Sequence, residues 1–228
     1  MRRLRRLHAL RQLDAPIILL VGGATGTGKS TIATEAAHRL GITRVTSTDF
    51  IRQTMRAFFS EEFMPSIHYS SFEAGAAMDN DPEAPHPVLA GFLDQTRNVL
   101  VGVRAVVERA LHEGWSMVLE GVHLVPGMVP RVEGALAVQF VLEIESEGVH
   151  GSHFWVREVG TKGLRPVNRY LDALPDIRFI QSYIVDRAGR AGVPVIENSN
   201  IDNTIGAVME LVLTSAEQVK AVAGGTSG

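Results

Sequence analysis

Cysteine is absent from the 228-residue chain, so no disulfide, thiolate zinc site, iron–sulfur cluster or cysteine nucleophile is possible. Long apolar runs are absent too: the run from Ile17 to Val21 is far shorter than the ~18 residues that span a bilayer. Because a signal peptide would also need a longer apolar stretch, we expect a cytoplasmic protein with no membrane partner. Lysine is scarce, with three residues against 19 arginines, so a lysine within a motif stands out.

The remaining composition is that of a globular domain. Apolar residues make up 45% of the chain and charged residues 21%, which excludes wholesale disorder. The net charge is −3, yet residues 1–13 hold five arginines and no acid. We interpret residues 1–15 as a basic N-terminal helix or arm. A contact with nucleic acid is the less favoured alternative, because no aromatic side chain interleaves the arginines.

Apolar runs alternate with helical stretches along the chain, which predicts an α/β fold. The predicted strands are residues 17–21, 43–46, 116–119, 137–144 and 193–196. The predicted helices include Lys29 to Leu40, the longest at about 88–113, and the last at about 203–219. Strands separated by helices indicate βαβ units and a parallel sheet with helices on its faces. We therefore expect a single domain over residues 16–220, followed by a flexible tail at 221–228.

One segment has the P-loop (Walker A) pattern G-x-x-x-x-G-K-[ST], namely Gly23-Ala24-Thr25-Gly26-Thr27-Gly28-Lys29-Ser30. It lies between a buried strand and a helix, where curled backbone N–H groups and the helix N-terminus attract phosphate. We expect Lys29 to reach the β and γ phosphates of ATP, Ser30 to bind Mg²⁺, and Thr31 to contact the α phosphate. No N-K-x-D or L-S-G-G-Q string is present, which disfavours a GTPase and a transporter ATPase.

Two acidic residues follow predicted strands, at the sheet edge where ligands of open α/β folds bind. Asp49 follows the second strand and could accept the proton of an acceptor hydroxyl, or cap the helix that begins there. Glu120 ends the third strand and could hold a water on Mg²⁺ or act as the base itself. The sequence leaves open which of the two acids is the base.

Cations and hydroxyl groups near these acids are candidates for binding an anionic acceptor. Arg52 and Arg56 lie four residues apart on one helical face and could clamp a carboxylate or phosphate; the alternative is a solvated face. Further candidate donors to the acceptor are His68, Ser70, Ser71, His123 and Arg169.

A cation-rich segment follows the fourth predicted strand. We predict an irregular, mobile lid at about residues 157–169, where Glu158 is the only acid. Its cations Arg157, Lys162 and Arg165 would stabilise charge on the transferring phosphoryl group, and its closure would exclude water. A solvated basic face is the alternative.

Four strings together resemble the 2-phosphoglycerate kinase family: residues 22–30, 45–52, 68–72 and 119–127. Arg169-Tyr170 and parts of 177–184 also fit, so the resemblance covers about residues 16–210. It implies a P-loop kinase sheet of strand order 2-3-1-4-5 and ATP-dependent phosphorylation of the 3-hydroxyl of 2-phosphoglycerate, giving 2,3-bisphosphoglycerate. Archaeal members carry an additional N-terminal ATP-cone-like domain, whereas here some 15 residues precede the first predicted strand.

The resemblance leaves alternatives for the substrate. Plant relatives linked to phytic acid share the kinase core, so another anionic hydroxy compound, such as an inositol phosphate or a hydroxy acid, is the first alternative. A nucleotide-binding regulatory P-loop NTPase is the second. The expected cofactors are ATP and Mg²⁺, the expected partner is a small anionic alcohol, and the oligomeric state stays open.

Overall fold

The structure is a computed structural model that describes residues 15–78, 86–160 and 167–225, with only the backbone of 156–160 and 220–225. The predicted N-terminal arm at 1–15 falls almost wholly outside the described residues, as do Lys162 and Arg165. The proposed division of the chain into arm, kinase domain and tail stays a prediction.

A five-stranded parallel sheet forms the centre of the described part. Its strands are β1 (Ile17–Gly23), β2 (Val45–Ser47), β3 (Met117–Glu120), β4 (Leu136–Glu143) and β5 (Val195–Glu197). The strand order is β2-β3-β1-β4-β5, and every pairing is parallel. The predicted α/β fold and the strand order implied by the resemblance are therefore confirmed. Each predicted strand overlaps an observed one, with no end displaced by more than two residues.

Helices cover both faces of the sheet. They are α1 (Lys29–Leu40), α2 (Thr48–Arg56), α3 (Pro87–His112), α4 (Glu147–Gly160), α5 (Val167–Asp172), α6 (Leu174–Ala191) and α7 (Ile201–Gly225), with two short 3-10 helices at Pro65–His68 and Ala74–Ala77. Leu19 and Val21 of β1 pack with α1 and α7, whereas Ile18 and Leu20 pack with α2 and α3. Since alternate side chains of a strand point to opposite faces, β1 is buried throughout.

Two sequence predictions need correction at their ends. Residues 157–160 continue α4 and 167–169 begin α5, so the ends of the predicted irregular lid are helical. Arginine and glutamate are good helix formers, which suits the end of α4. The last helix runs to Gly225, beyond its predicted end at residue 219 and into the predicted tail. Among the described residues, no helix is both long and apolar enough to cross a membrane.

The register of the sheet brings the ends of three strands together. Glu120, the last residue of β3, pairs with Val21 of β1 on one side and with Ser47 of β2 on the other. The loop after β1 and the start of α2 therefore emerge beside Glu120, at the carboxyl edge of the sheet.

Candidate active site

The predicted phosphate cradle, residues 23–31, connects β1 to the first turn of α1. Gly26 and Gly28 have φ angles of 87° and 81°, a left-handed conformation that favours glycine. The carbonyl oxygen of Ala24 accepts hydrogen bonds from Lys29 Nζ at 2.5 Å and from Thr27 Oγ1 at 3.0 Å. The loop is thus curled and held by its own side chains.

The Lys29 ammonium is buried in this loop, and two carboxylates act on it electrostatically. Burial lowers the pKa of Lys29, while the charges of Glu120 and Asp49 act in the opposite direction. Both predicted acids are therefore near enough to the cradle lysine to affect its protonation. The fold brings the three predicted catalytic residues of the sheet edge into one site.

Glu120 lies beside the first turn of α1. Its Oε1 atom accepts a hydrogen bond from the Ser30 hydroxyl at 2.8 Å, and the residue is buried. A hydroxyl and a carboxylate are the hard oxygen donors that Mg²⁺ prefers. The described residues contain no group of three or more His, Asp or Glu side chains that could hold a metal ion. These two residues therefore suit Mg²⁺.

Asp49 lies at the open end of the site, in the first turn of α2, with 60% of its side chain exposed. The buried Arg52 side chain donates to Asp49 Oδ1 from Nε at 3.0 Å and from Nη2 at 2.8 Å. The helix cap that Asp49 could have provided is supplied by Ser47, whose hydroxyl accepts from Phe50 N. Asp49 is therefore free of a capping duty and is oriented by an arginine.

The two predicted clamp arginines have different surroundings in the structure. Arg52 Nη1 donates to the carbonyl oxygens of Ile67 and Tyr69 at 2.6 and 2.7 Å, so its described bonds are to the protein itself. Arg56 is exposed and donates to Gln53. Arg52 is thus buried and Arg56 exposed, and contact of either residue with an acceptor stays a prediction.

His123 belongs to a buried polar network beside Asp49. Gln95 Nε2 donates to the carbonyl oxygens of Ser66 and Tyr69, so Gln95 Oε1 accepts from His123 Nε2–H at 2.9 Å. His123 Nδ1 then accepts from the Thr48 hydroxyl at 2.8 Å. Both ring nitrogens are engaged, which favours a supporting role for His123 over the predicted contact with the acceptor.

The network makes His123 a determinant of stability at mildly acidic pH. Burial, aided by the charge of Arg52, lowers the pKa of His123 from 6.5 to about 3. Below pH 6.5 His123 is protonated in the unfolded chain but stays neutral in the folded chain. The free energy of unfolding therefore falls as the pH decreases from 6.5 towards 3. Between pH 7 and pH 5 we expect His123 to account for a loss of about 2 kcal/mol.

Urea unfolding of the wild type and of His123→Gln at both pH values checks this expectation, because the substitution removes the titrating group. The pH dependence should be weaker by that amount in His123→Gln. Equal pH dependences of the wild type and His123→Gln would show that His123 is not held neutral.

The segment that contains both 3-10 helices lies between the cradle and α5. Ser71 Oγ is 3.5 Å from Thr25 Oγ1 in the cradle. Arg169 forms an ion pair with Glu73 and donates to Ser70 Oγ at 3.1 Å. His68 Nε2 contacts the carbonyl oxygen of Phe59. Ser70, Ser71 and Arg169 are thus brought to one side of the cradle, and His68 faces the loop after α2.

Sequence reasoning missed three residues that contact the cradle from other elements. His150 Nε2 is 2.7 Å from the carbonyl oxygen of Thr25, and His153 Nδ1 is 3.0 Å from that of Gly26. Asn198 Nδ2 donates to the carbonyl oxygen of Thr27 at 2.9 Å. Asn198 directly follows β5, so the rule that ligands gather at strand ends could have suggested it. The spacing of the two histidines was the only signal for them.

Comparison with known proteins shows clear relatives. A 2-phosphoglycerate kinase from Methanothermobacter thermautotrophicus is 43% identical over 204 residues, which cover 88% of this chain and 67% of its own. Those from Methanopyrus kandleri and Pyrococcus horikoshii are 40% and 39% identical, over 89% and 92% of this chain and 62% and 68% of their own. The chain therefore spans about two thirds of the length of these curated relatives. No family model matches it.

Among solved structures, shikimate kinase from Acinetobacter baumannii, in complex with shikimate, aligns with 88% of this chain and 94% of its own at 15% identity and a TM-score of 0.45. That likeness is too distant to bear on function. The sequence relatives are different, because their identity is near 40% over almost the whole chain. The chain belongs to the 2-phosphoglycerate kinase family.

Proposed function

We propose that the protein transfers the γ-phosphoryl group of ATP to the 3-hydroxyl of 2-phosphoglycerate, giving ADP and 2,3-bisphosphoglycerate. The observation that carries the proposal is the meeting of Lys29, the Ser30–Glu120 pair and the exposed Asp49 at one edge of the sheet. A phosphoryl transfer needs a phosphate cradle, a metal-binding hydroxyl and a group that orients the attacking oxygen. The names of the relatives support the same reaction.

The residues divide the work by position. The cradle amides and Lys29 bind the phosphates, and Ser30 with Glu120 would hold Mg²⁺, which neutralises phosphate charge when bound. Asp49 takes the proton of the acceptor hydroxyl as that oxygen bonds to the γ phosphorus and the bond to the ADP oxygen breaks. Arg52 orients the carboxylate: both of its bonds to Asp49 end on Oδ1, which would leave Oδ2 for the acceptor.

The acceptor site is proposed between Asp49 and the 3-10 helices. Ser70, Ser71 and Arg169 lie where they could bind the phosphate or carboxylate of the acceptor, and Arg56 and His68 could contribute from α2 and the loop after it. Arg157, Lys162 and Arg165 would close over the phosphates as a lid, because α4 leads from the cradle histidines into that segment. Charge on the transferred group would be stabilised by these cations.

Incubation of the full chain with ATP, Mg²⁺ and 2-phosphoglycerate tests the proposal. We expect 2,3-bisphosphoglycerate and ADP in equal amounts, measured by phosphorus NMR, with little product from glycerate, 3-phosphoglycerate or inositol phosphates. A Lys29→Met variant controls for contaminating kinases. Turnover of an inositol phosphate without turnover of 2-phosphoglycerate would replace the acceptor in the proposal, and failure to bind ATP at all would remove the reaction.

A further inference from the structure

We propose that His150 and His153 of α4 are positioning residues for the nucleotide: they hold two carbonyl groups of the cradle from outside and so aim the following N–H groups at the phosphates. This inference deepens the proposed function and rests on it. The two histidines are three residues apart on one helix, so their side chains reach the cradle from the same face.

The polarity of both contacts is determined by chemistry. A carbonyl oxygen only accepts, so His150 must donate from Nε2 to Thr25 O, and His153 must donate from Nδ1 to Gly26 O. The contacts cross 125 and 127 residues of chain. They are therefore a product of the fold and connect α4 to the loop that follows β1.

Holding a carbonyl also orients the amide of the same peptide unit. A trans peptide is planar, with its C=O and N–H on opposite sides, and no described peptide bond is cis. Bonds to Thr25 O and Gly26 O therefore turn the N–H groups of Gly26 and Thr27 away from α4. Asn198 donates to Thr27 O and so holds the next peptide unit, which carries the N–H of Gly28. Three successive units of the cradle are thus held from outside, each by a different side chain.

Among the described residues, the backbone bonds of the cradle leave the inner N–H groups available to a ligand. The Thr27 N–H makes a long bond of 3.4 Å to Ala24 O. Oriented backbone N–H groups in a curled loop are the usual anion-binding device of such cradles. The histidines therefore act on the part of the loop that would contact phosphate oxygens.

The environment of His150 indicates why the residue is a histidine. Its ring is buried and stacks on Phe154, with centroids 5.6 Å apart. Burial lowers the pKa of His150 and so favours the neutral ring, which has a single N–H. That N–H donates to Thr25 O. The other nitrogen, Nδ1, is buried with no hydrogen-bond partner among the described residues. Phenylalanine would fill this space without a buried unsatisfied acceptor, so the feature that histidine adds is the donor to the cradle.

Side chains of α4 pack directly against the cradle backbone. A Cβ atom on Gly26 would lie 2.5 Å from Phe154 Cζ and 3.0 Å from His150 Nε2. The cradle and this face of α4 are therefore in direct contact, and a change of donor on α4 is transmitted to the loop without an intermediate residue.

Calorimetric titration of the full chain with Mg²⁺-ATP tests the inference with donor-deleting and donor-keeping variants. His150→Phe and His153→Ala delete the donors, whereas His150→Gln and His153→Asn place an amide N–H near the positions of Nε2 and Nδ1. We expect each deletion to raise the Kd for ATP about tenfold, a loss typical of one hydrogen bond. The amide variants should recover most of the affinity. The exposed His112→Ala variant, at the end of α3, should bind as the wild type does.

Thermal unfolding and the KM for the acceptor separate positioning from a general structural role. We expect the melting temperature and the acceptor KM of the deletion variants to stay close to those of the wild type. Wild-type ATP affinity in both deletions, or a parallel loss of ATP binding, acceptor binding and stability without amide rescue, would overturn this inference. No ATP binding by the wild type would instead remove the proposed function.

Discussion

Replacing Lys29 with methionine is expected to lower kcat by about 10³-fold, measured as production of ADP and phosphorylated acceptor. Methionine keeps the length of the side chain and removes its charge. In the proposed reaction this ammonium, buried in the cradle, meets the negative charge that develops on the transferred phosphoryl group.

The fold should tolerate this substitution. Lys29 is buried, and desolvation lowers its pKa. Replacing it with methionine therefore removes the free-energy penalty of burying a charge in the folded state. We expect a melting temperature at least equal to that of the wild type. Arg190→Met, at the exposed end of α6, is the matched control for loss of one cation and should retain full activity. Near-normal turnover of Lys29→Met would exclude Lys29 from the chemistry.

The second large effect is expected from replacing the acids Asp49 and Glu120 with their amides, which should distinguish their roles. Asp49→Asn is expected to lower kcat by about 10²- to 10⁴-fold, with little change in the KM for ATP or in the requirement for Mg²⁺. The reason is its position: the carboxylate is exposed and is oriented by Arg52 through one oxygen. An asparagine in the same place can hold the acceptor but cannot take its proton.

Glu120→Gln should have a different signature. Glu120 is buried against the Ser30 hydroxyl, so its loss should raise the Mg²⁺ concentration needed for half-maximal activity. Magnesium titrations of the wild type and both variants, at saturating ATP and acceptor, measure this. If Glu120→Gln abolished turnover at every Mg²⁺ concentration while Asp49→Asn stayed active, the assignment of the base would be reversed.

The residues next to strand ends were within reach of sequence reasoning. Glu120 ends β3 and Asp49 lies two residues after β2, and in a parallel sheet the carboxyl ends of strands meet at one edge. The cradle is a local pattern, because its glycines, lysine and serine act within one loop. Strand order, by contrast, came from the resemblance to a family, since alternation of strands and helices is compatible with several orders.

The role of Arg52 could not be predicted from its spacing along the helix. A separation of four residues predicts that Arg52 and Arg56 share a face, yet it does not tell what lies opposite that face. The carbonyl oxygens of Ile67 and Tyr69 lie there, and they take Nη1 of Arg52, whereas Arg56 remains in solvent. Burial, which depends on the whole fold, made one arginine a support for Asp49.

By itself, the amino-acid sequence determined the parallel α/β class, the phosphate loop and the two acids at strand ends, because these depend on periodicity and on neighbours along the chain. Only the tertiary structure decided which side chains hold that loop in shape. His150, His153 and Asn198 reach it across 125 to 171 residues. Contacts at such separations are made by the packing of distant elements, so a local pattern can suggest such a residue but cannot show which cradle atom it binds.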